Sequence, residues 1–181
     1  DDNLTKEYIG NRLNIIKDYQ IQLEEVKKIP IIVQKSDEWF NTRKHLITAS
    51  DMGQALNKGH YDNQKNFLIK KINNLNSTEN VYKQTNKPEF MWGIKYEDVA
   101  NSIYMIRNKV EVYECGLLEH SNVKCFGASP DGISELGILL EIKCPFKRKI
   151  DGKILEQYWI QIQGQLEVCD LEECDFLECS F

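Results

Sequence analysis

No run of about 18 apolar residues occurs in the 181-residue sequence, so nothing in it reads as a membrane-spanning helix. The opening Asp1-Asp2-Asn3-Leu4 has neither a basic region nor an apolar stretch, which is not the pattern of a signal peptide. An initiator methionine is missing too, and the expectation is a processed or excised chain. Histidine is scarce, with three residues. None of the six cysteines (Cys115, Cys125, Cys144, Cys169, Cys174, Cys179) stands in a Cys-x-x-Cys pair, so a zinc site lacks its usual ligand spacing. The same spacing assembles no four-thiolate set for an iron–sulfur cluster. A disulfide framework belongs to small secreted chains, so the cysteines are expected to be reduced and to pack as small hydrophobes. Internal repeats and low-complexity tracts are absent as well.

What is present is 41% hydrophobic and 28% charged residues, with 3 Trp, 8 Tyr and 7 Phe. That aromatic content excludes disorder as the main state, and the length suits one domain with a core of its own. A soluble, intracellular domain with no membrane partner is the expected class. The net charge of −5 speaks at first against a nucleic-acid ligand, but its distribution does not. Residues 164–181 carry six acids and no Lys or Arg, whereas residues 40–110 hold 11 basic and 6 acidic residues. With the run Lys147-Arg148-Lys149, this leaves room for a positive groove on an acidic protein. Solvated lysine faces explain the charge alone equally well.

Periodicity predicts a helix over 4–28 with Ile9, Leu13, Ile16 and Leu23 near one face, ended by Pro30. Ser36 is a plausible N-cap for a short helix carrying Trp39 and Phe40, and another short helix follows Ser50. Residues 62–75 read as an amphipathic helix and 73–87 as a loop. Pro88 opens a helix running to about Asn108. Short β-prone runs at 110–118, 122–128 and 138–143 follow, separated by Glu-His-Ser-Asn and by Asp131-Gly132 through Gly137. A helix over 154–170, with Trp159, Ile162 and Leu166 toward the core, and a last strand over 175–181 complete the chain. This order predicts a mixed α/β (α+β) domain, with one small mixed sheet flanked by helices. Residues 1–35 form an N-terminal helix and linker, and 36–181 a single domain.

The chemically informative segment is Ser129-Pro130-Asp131-Gly132, followed by Glu141-Ile142-Lys143-Cys144-Pro145. Alternation along strand 138–143 puts Glu141 and Lys143 on one face and Leu140 and Ile142 on the other. Charges in so apolar a run are costly unless paired or liganded. A hairpin can bring Asp131 beside Glu141. Two carboxylates and the Ile142 carbonyl then make a hard oxygen site suited to Mg²⁺ or Mn²⁺. Such a site serves phosphodiester hydrolysis by lowering the pKa of a bound water and neutralising developing charge. Lys143 is placed to orient or deprotonate that water, and a cation beside it would lower its pKa. The bland alternative is a surface hairpin with a Glu-x-Lys salt bridge and an Asp-Gly turn.

Four blocks occur in order: Arg43-Lys44-His45-Leu46-Ile47-Thr48-Ala49-Ser50, Trp92-Gly93-Ile94-Lys95-Tyr96-Glu97, the Asp131/Glu141/Lys143 segment, and Tyr158-Trp159-Ile160-Gln161-Ile162-Gln163. Together they resemble the λ-exonuclease-like, YqaJ-type viral recombinase branch of the PD-(D/E)XK nucleases. The resemblance implies a PD-(D/E)XK core preceded by the helical N-terminal region. It implies Asp131 and Glu141 as metal-binding carboxylates with the Ile142 carbonyl, Lys143 as the catalytic lysine and Glu97 as a further acid at a second metal position. One or two Mg²⁺ or Mn²⁺ ions are the implied cofactor. Arg43, Ser50 and Ser129 resemble the family's pocket for a 5′-terminal phosphate, where a guanidinium fork and helix amides favour an anion. On the last helix, Tyr158, Gln161 and Gln165 share a polar face. Tyr158 joins the DNA-binding set, and Gln161, with Gln163 in reserve, takes the family's glutamine position near the attacking water.

The implied activity is a metal-dependent exonuclease acting 5′ to 3′ on duplex ends, in viral or phage recombination, repair or genome processing. Host cytoplasm is the implied setting for a viral protein. Implied partners are double-stranded DNA with free ends, a single-strand-annealing protein and further copies of the chain. Family members commonly continue into helices beyond the last strand, so a domain truncated at its C-terminus is expected and the family's ring-shaped trimer does not carry over directly. Three rivals stand beside this reading: a structure-selective or nicking endonuclease on the same metal core, an inactive DNA-binding recombination module, and an interaction domain built on the N-terminal helix.

Overall fold

A computed structural model describes residues 2–59, 63–77 and 87–181. The described elements are α1 (Asp2–Lys27), α2 (Asp37–Lys44), β1 (Ile47–Thr48), a 3₁₀ turn (Ala49–Asp51), α3 (Met52–Ala55), α4 (Gln64–Asn76), α5 (Pro88–Asn108), β2 (Val112–Tyr113), β3 (Leu118–Glu119), β4 (Phe126–Ala128), β5 (Gly132–Ser134), β6 (Leu139–Lys143), α6 (Glu156–Cys169) and β7 (Cys174–Glu178). The mixed α/β class holds. The strands, however, form two small sheets rather than one, in the orders β1-β4-β3 and β2-β5-β6-β7. Most of the segment predicted as a loop at 73–87 lies outside the described residues, while 73–76 close α4.

The second sheet carries the informative segment. β6 pairs antiparallel with β5 and parallel with β7, and α6 makes the crossover between the two parallel strands. Alternation on β6 is as expected: Leu140 and Ile142 pack with Ala100 and Tyr104 of α5. Leu139 on the opposite face joins a second core with Leu23, Val26, Cys115, Leu118, Ile133, Cys169 and Leu171. A strand covered on both faces must carry its polar side chains into the interior, which is where Glu141 ends up, with no exposed surface.

Several expectations need correction. Asp131-Gly132 reads as a turn, yet Gly132 opens β5 because Val112 of β2 packs where its Cβ would stand, 2.3 Å from Val112 Cγ1. The turn itself falls later, at Gly137 (φ +76°), where a Cβ would meet the Tyr19 carbonyl oxygen at 2.4 Å. Segment 110–118 is two short strands in different sheets, broken at Gly116 (φ +68°). On α1 the inward face runs through Tyr19, Leu23 and Val26, while Ile9 and Leu13 are exposed, because only the later turns meet the two sheets. Trp159 is 55% exposed: the phase of α6 turns Ile162, Gln165 and Cys169 inward instead.

A bidentate Arg12–Glu173 pair, joined by the Tyr19 hydroxyl donating to Glu173 at 3.1 Å, ties α1 to the α6–β7 turn. The Arg12 hydrogen bond holds the Glu173 carboxyl below its ordinary value. Both side chains are more than a third exposed, so Arg12→Ala should cost about 1 kcal/mol or less, and less again at high salt. The contribution is complete above the unfolded Glu pKa of about 4.3 and is lost as pH falls through the lowered folded value. Thermal melts of parent and variant should therefore differ at pH 7 and converge as the pH falls below the ordinary carboxylate range.

Candidate active site

Glu141 sits at the centre of the site. Its Oε1 accepts the Gln161 amide at 2.6 Å and the Lys143 ammonium, and its Oε2 accepts the Gln165 amide at 2.7 Å. Gln165 is itself buried, so α6 contributes two amides across the face that β6 presents to it. Asp131 lies at the start of the β5–β6 hairpin, and its Oδ2 accepts the Ile142 backbone N–H at 2.6 Å. The hairpin thus delivers both carboxylates to one place, as the sequence predicts. Gln161, not the exposed Gln163, faces the site.

The electrostatics follow from this crowding. Burial, then the nearby Glu141 charge, pushes the Asp131 carboxyl well above its ordinary range. Burial works against a charge on Lys143, yet Glu141 and Asp131 more than offset it, and the lysine is held as an ammonium above its ordinary value. Burial also raises the Glu97 carboxyl, against the opposing charges of Lys35 and Lys143. Glu97 comes from α5, 4.0 Å from the Lys35 ammonium.

Beside these groups opens a cleft of about 1120 Å³, whose lining includes Glu97, Ile142, Lys143 and Tyr158 together with Trp39, Arg43 and Ser129. The Tyr158 ring lies 5.2 Å from the Lys143 ammonium and 5.9 Å from the Arg148 guanidinium. Arg148 also pairs with Glu178, so one cation of the 147–149 run and one acid of the 164–181 segment offset each other at the cleft edge. Other acids of that segment are engaged as well: Glu173 by Arg12, and Asp175 by the Tyr104 hydroxyl at 2.6 Å.

Arg43 of α2, Ser50 of the 3₁₀ turn and Ser129 in the loop after β4 are physically linked. The Arg43 Nη2 donates to Ser50 Oγ at 2.6 Å, and the guanidinium lies 4.7 Å from the Trp39 ring centroid. The Trp39 indole donates to Ser129 Oγ at 3.2 Å, and Ser129 donates onward to the Gly116 carbonyl at 2.9 Å. A smaller pocket of about 150 Å³, bordered by Ser50, Gln157, Tyr158 and Gln161, adjoins the Arg43 corner. Sequence reasoning missed Trp39 as this connector, and it missed Lys35 and Lys71. Only Thr48-Ala49-Ser50-Asp51 carried a usable local signal, the capping-box spacing that the 3₁₀ turn adopts.

The donor set suits a hard divalent ion: two carboxylates and the Ile142 carbonyl, with neither imidazole nor thiolate among them. Burial is the leading reason that both the Asp131 and the Glu97 carboxyls are raised, with the Glu141 charge adding to it at Asp131. Among the described residues no three His, Cys, Asp or Glu side chains converge as one ligand group. The candidate set is therefore a pair of carboxylates supplemented by backbone, with Glu97 at its edge. No helix of the described residues is long and apolar enough to cross a membrane.

Comparison with known proteins places these features in a wider set. The model of the YqaJ-like viral recombinase domain matches residues 38–172. An uncharacterised protein of Acanthamoeba polyphaga mimivirus is 38% identical over 171 residues, covering 84% of this chain and 30% of its own length. The chain thus spans under a third of that relative. Among solved structures, the alkaline exonuclease LHK-Exo of Laribacter hongkongensis aligns with a TM-score of 0.70 at 29% identity, over 80% of this chain and 74% of that one. The structure of LHK-Exo in complex with dAMP aligns with a TM-score of 0.69 at 30% identity, over 79% and 73% of the two chains.

Proposed function

Because this chain belongs to the YqaJ-like viral recombinase domain family, we propose that it is a metal-dependent deoxyribonuclease degrading one strand of duplex DNA from its 5′ end. The observation that carries this reading is the fully buried Glu141, held by Lys143, Gln161 and Gln165 beside Asp131 and an open cleft. A salt bridge on a surface hairpin, the bland alternative, would have no reason to be buried or to recruit two glutamines from α6. The likeness to an alkaline exonuclease, and the nucleotide bound to that protein, support the same chemistry.

Asp131, Glu141 and the Ile142 carbonyl would hold Mg²⁺ or Mn²⁺, with Glu97 available to a second ion. Such an ion supplies a water of lowered pKa and offsets charge on the phosphate. Lys143, hydrogen-bonded to Glu141 beside the ion's place, stabilises charge that develops on the scissile phosphate. Gln161 commits its amide nitrogen to Glu141, which leaves its oxygen to orient a water. Arg43, Ser50 and Ser129 receive the 5′-terminal phosphate, and Tyr158 with its flanking cations borders the strand's path. Binding through phosphates predicts weak sequence preference and an affinity that falls steeply with salt.

Linear and covalently closed duplexes, incubated with Mg²⁺ or Mn²⁺ against EDTA, test the proposal. Loss of linear DNA only with metal, and intact circles, is the expected result. Cut circles would favour an endonuclease, and no cleavage with retained binding an inactive module. Gln161→Ala should lower kcat by about a hundredfold, in the range for a positioned proton-transfer or water-orienting group. Gln163→Ala should change it less than about twofold, as for an exposed site away from the cleft.

A further inference from the structure

Beneath the Arg43–Ser50 corner lies a buried ion pair that the mechanism above does not use. Lys71 reaches in from α4 with 9% of its surface exposed. Its ammonium donates to the Leu46 carbonyl at 2.7 Å and pairs with Asp51 Oδ2 at 2.8 Å. The same carboxylate oxygen accepts the Thr48 backbone N–H at 3.0 Å and the Thr48 hydroxyl at 2.9 Å. Thr48 Oγ1 in turn lies 3.1 Å from Ser50 Oγ, the atom that accepts from Arg43. An unbroken set of contacts therefore joins Lys71 to Arg43 through Asp51, Thr48 and Ser50.

The charges in this set matter for an anion at the corner. Burial acts to raise the Asp51 carboxyl, but Lys71, Arg43 and the Thr48 amide outweigh it and keep the group ionised. An ionised carboxylate one residue from Ser50 attracts Arg43 and repels a phosphate. A buried ion pair, moreover, is seldom more stabilising than apolar side chains of similar volume, so stability alone gives no reason for it.

We infer that Lys71 is a positioning and charge-compensating residue for the 5′-phosphate pocket. By neutralising Asp51 it leaves the Arg43 guanidinium to the terminal phosphate, and through the Thr48–Asp51 turn it sets the Ser50 hydroxyl. This inference rests on the phosphate-pocket reading of Arg43, Ser50 and Ser129.

The test measures binding, in EDTA at low salt, of two duplexes identical except for a 5′-phosphate or a 5′-hydroxyl end. The parent should prefer the phosphorylated end, and Arg43→Ala should remove that preference. Lys71→Met should lower the preference about tenfold, the scale of one charge-assisted contact. Asp51→Asn should keep or raise it, and Lys71→Met with Asp51→Asn should return to within about twofold of the parent, because the two charges are removed together. A merely structural role predicts the opposite pattern: both single variants lower the preference alike, and the double variant lowers it furthest. That pattern overturns the inference.

Should Lys71→Met fail to fold in a thermal melt, the sign of the Asp51→Asn effect decides, since a decrease contradicts charge compensation. A preference lost in Arg43→Ala but retained in Lys71→Met sinks this inference alone. A parent with no preference sinks the phosphate pocket and the inference with it.

Discussion

Lys143→Ala is expected to reduce cleavage on the order of a thousandfold or more, the scale seen when a charge-stabilising or proton-transfer group is removed. Two consequences are separable. The catalytic loss should persist at saturating Mn²⁺ and DNA, because the missing ammonium acts on the reacting phosphate rather than on binding. A stability loss should accompany it, because Glu141 is fully buried and Lys143 is its cationic partner. The amides of Gln161 and Gln165 remain on the carboxylate, so the variant should still fold. Rates are best compared well below the melting temperature of the variant, with circular dichroism as the check. Lys143→Arg should not restore activity, since a planar fork does not reproduce a point charge in a cavity shaped for an ammonium.

Glu141→Gln should be nearly as damaging, for a different reason. The substitution keeps the volume but replaces one acceptor oxygen by a donor. Lys143, Gln161 and Gln165 all donate to the two carboxylate oxygens, so one donor would face another in a buried site. Leaving a buried polar group unsatisfied costs about 2 kcal/mol. For a domain of this size that amounts to a fall in Tm of roughly 4–8 °C. Mn²⁺ should raise the Tm of the parent and leave that of Glu141→Gln unchanged, because binding to the folded state alone is what stabilises. A variant that melts like the parent and still responds to Mn²⁺ would remove Glu141 from the ion site.

The β6 face was legible in advance because a strand has a period of two: once Leu140 and Ile142 are inward, Glu141 and Lys143 must share the other side. Helix phase likewise separated Gln161 from Gln163. It failed for Trp159 and for Ile9 and Leu13, where apolar character suggested burial but the side chains are exposed. β5 was hidden by Asp131-Gly132, a pair that reads as a turn, until Val112 of a neighbouring strand is known to press against the glycine. The grouping of Arg43, Ser50 and Ser129 came from family resemblance alone. What joins them, Trp39 across 90 positions to Ser129 and Lys71 across 25 to Leu46, leaves no local periodicity to detect.

Direction of degradation is the central claim, and end-labelled linear duplexes test it most directly. With Mg²⁺ or Mn²⁺ present, a 5′ label should be released as mononucleotide from the first time points while a 3′ label stays on long fragments, and both should be untouched in EDTA or with Lys143→Ala. Early release of the 3′ label, or release of either label by Lys143→Ala at the parent's rate, would contradict it.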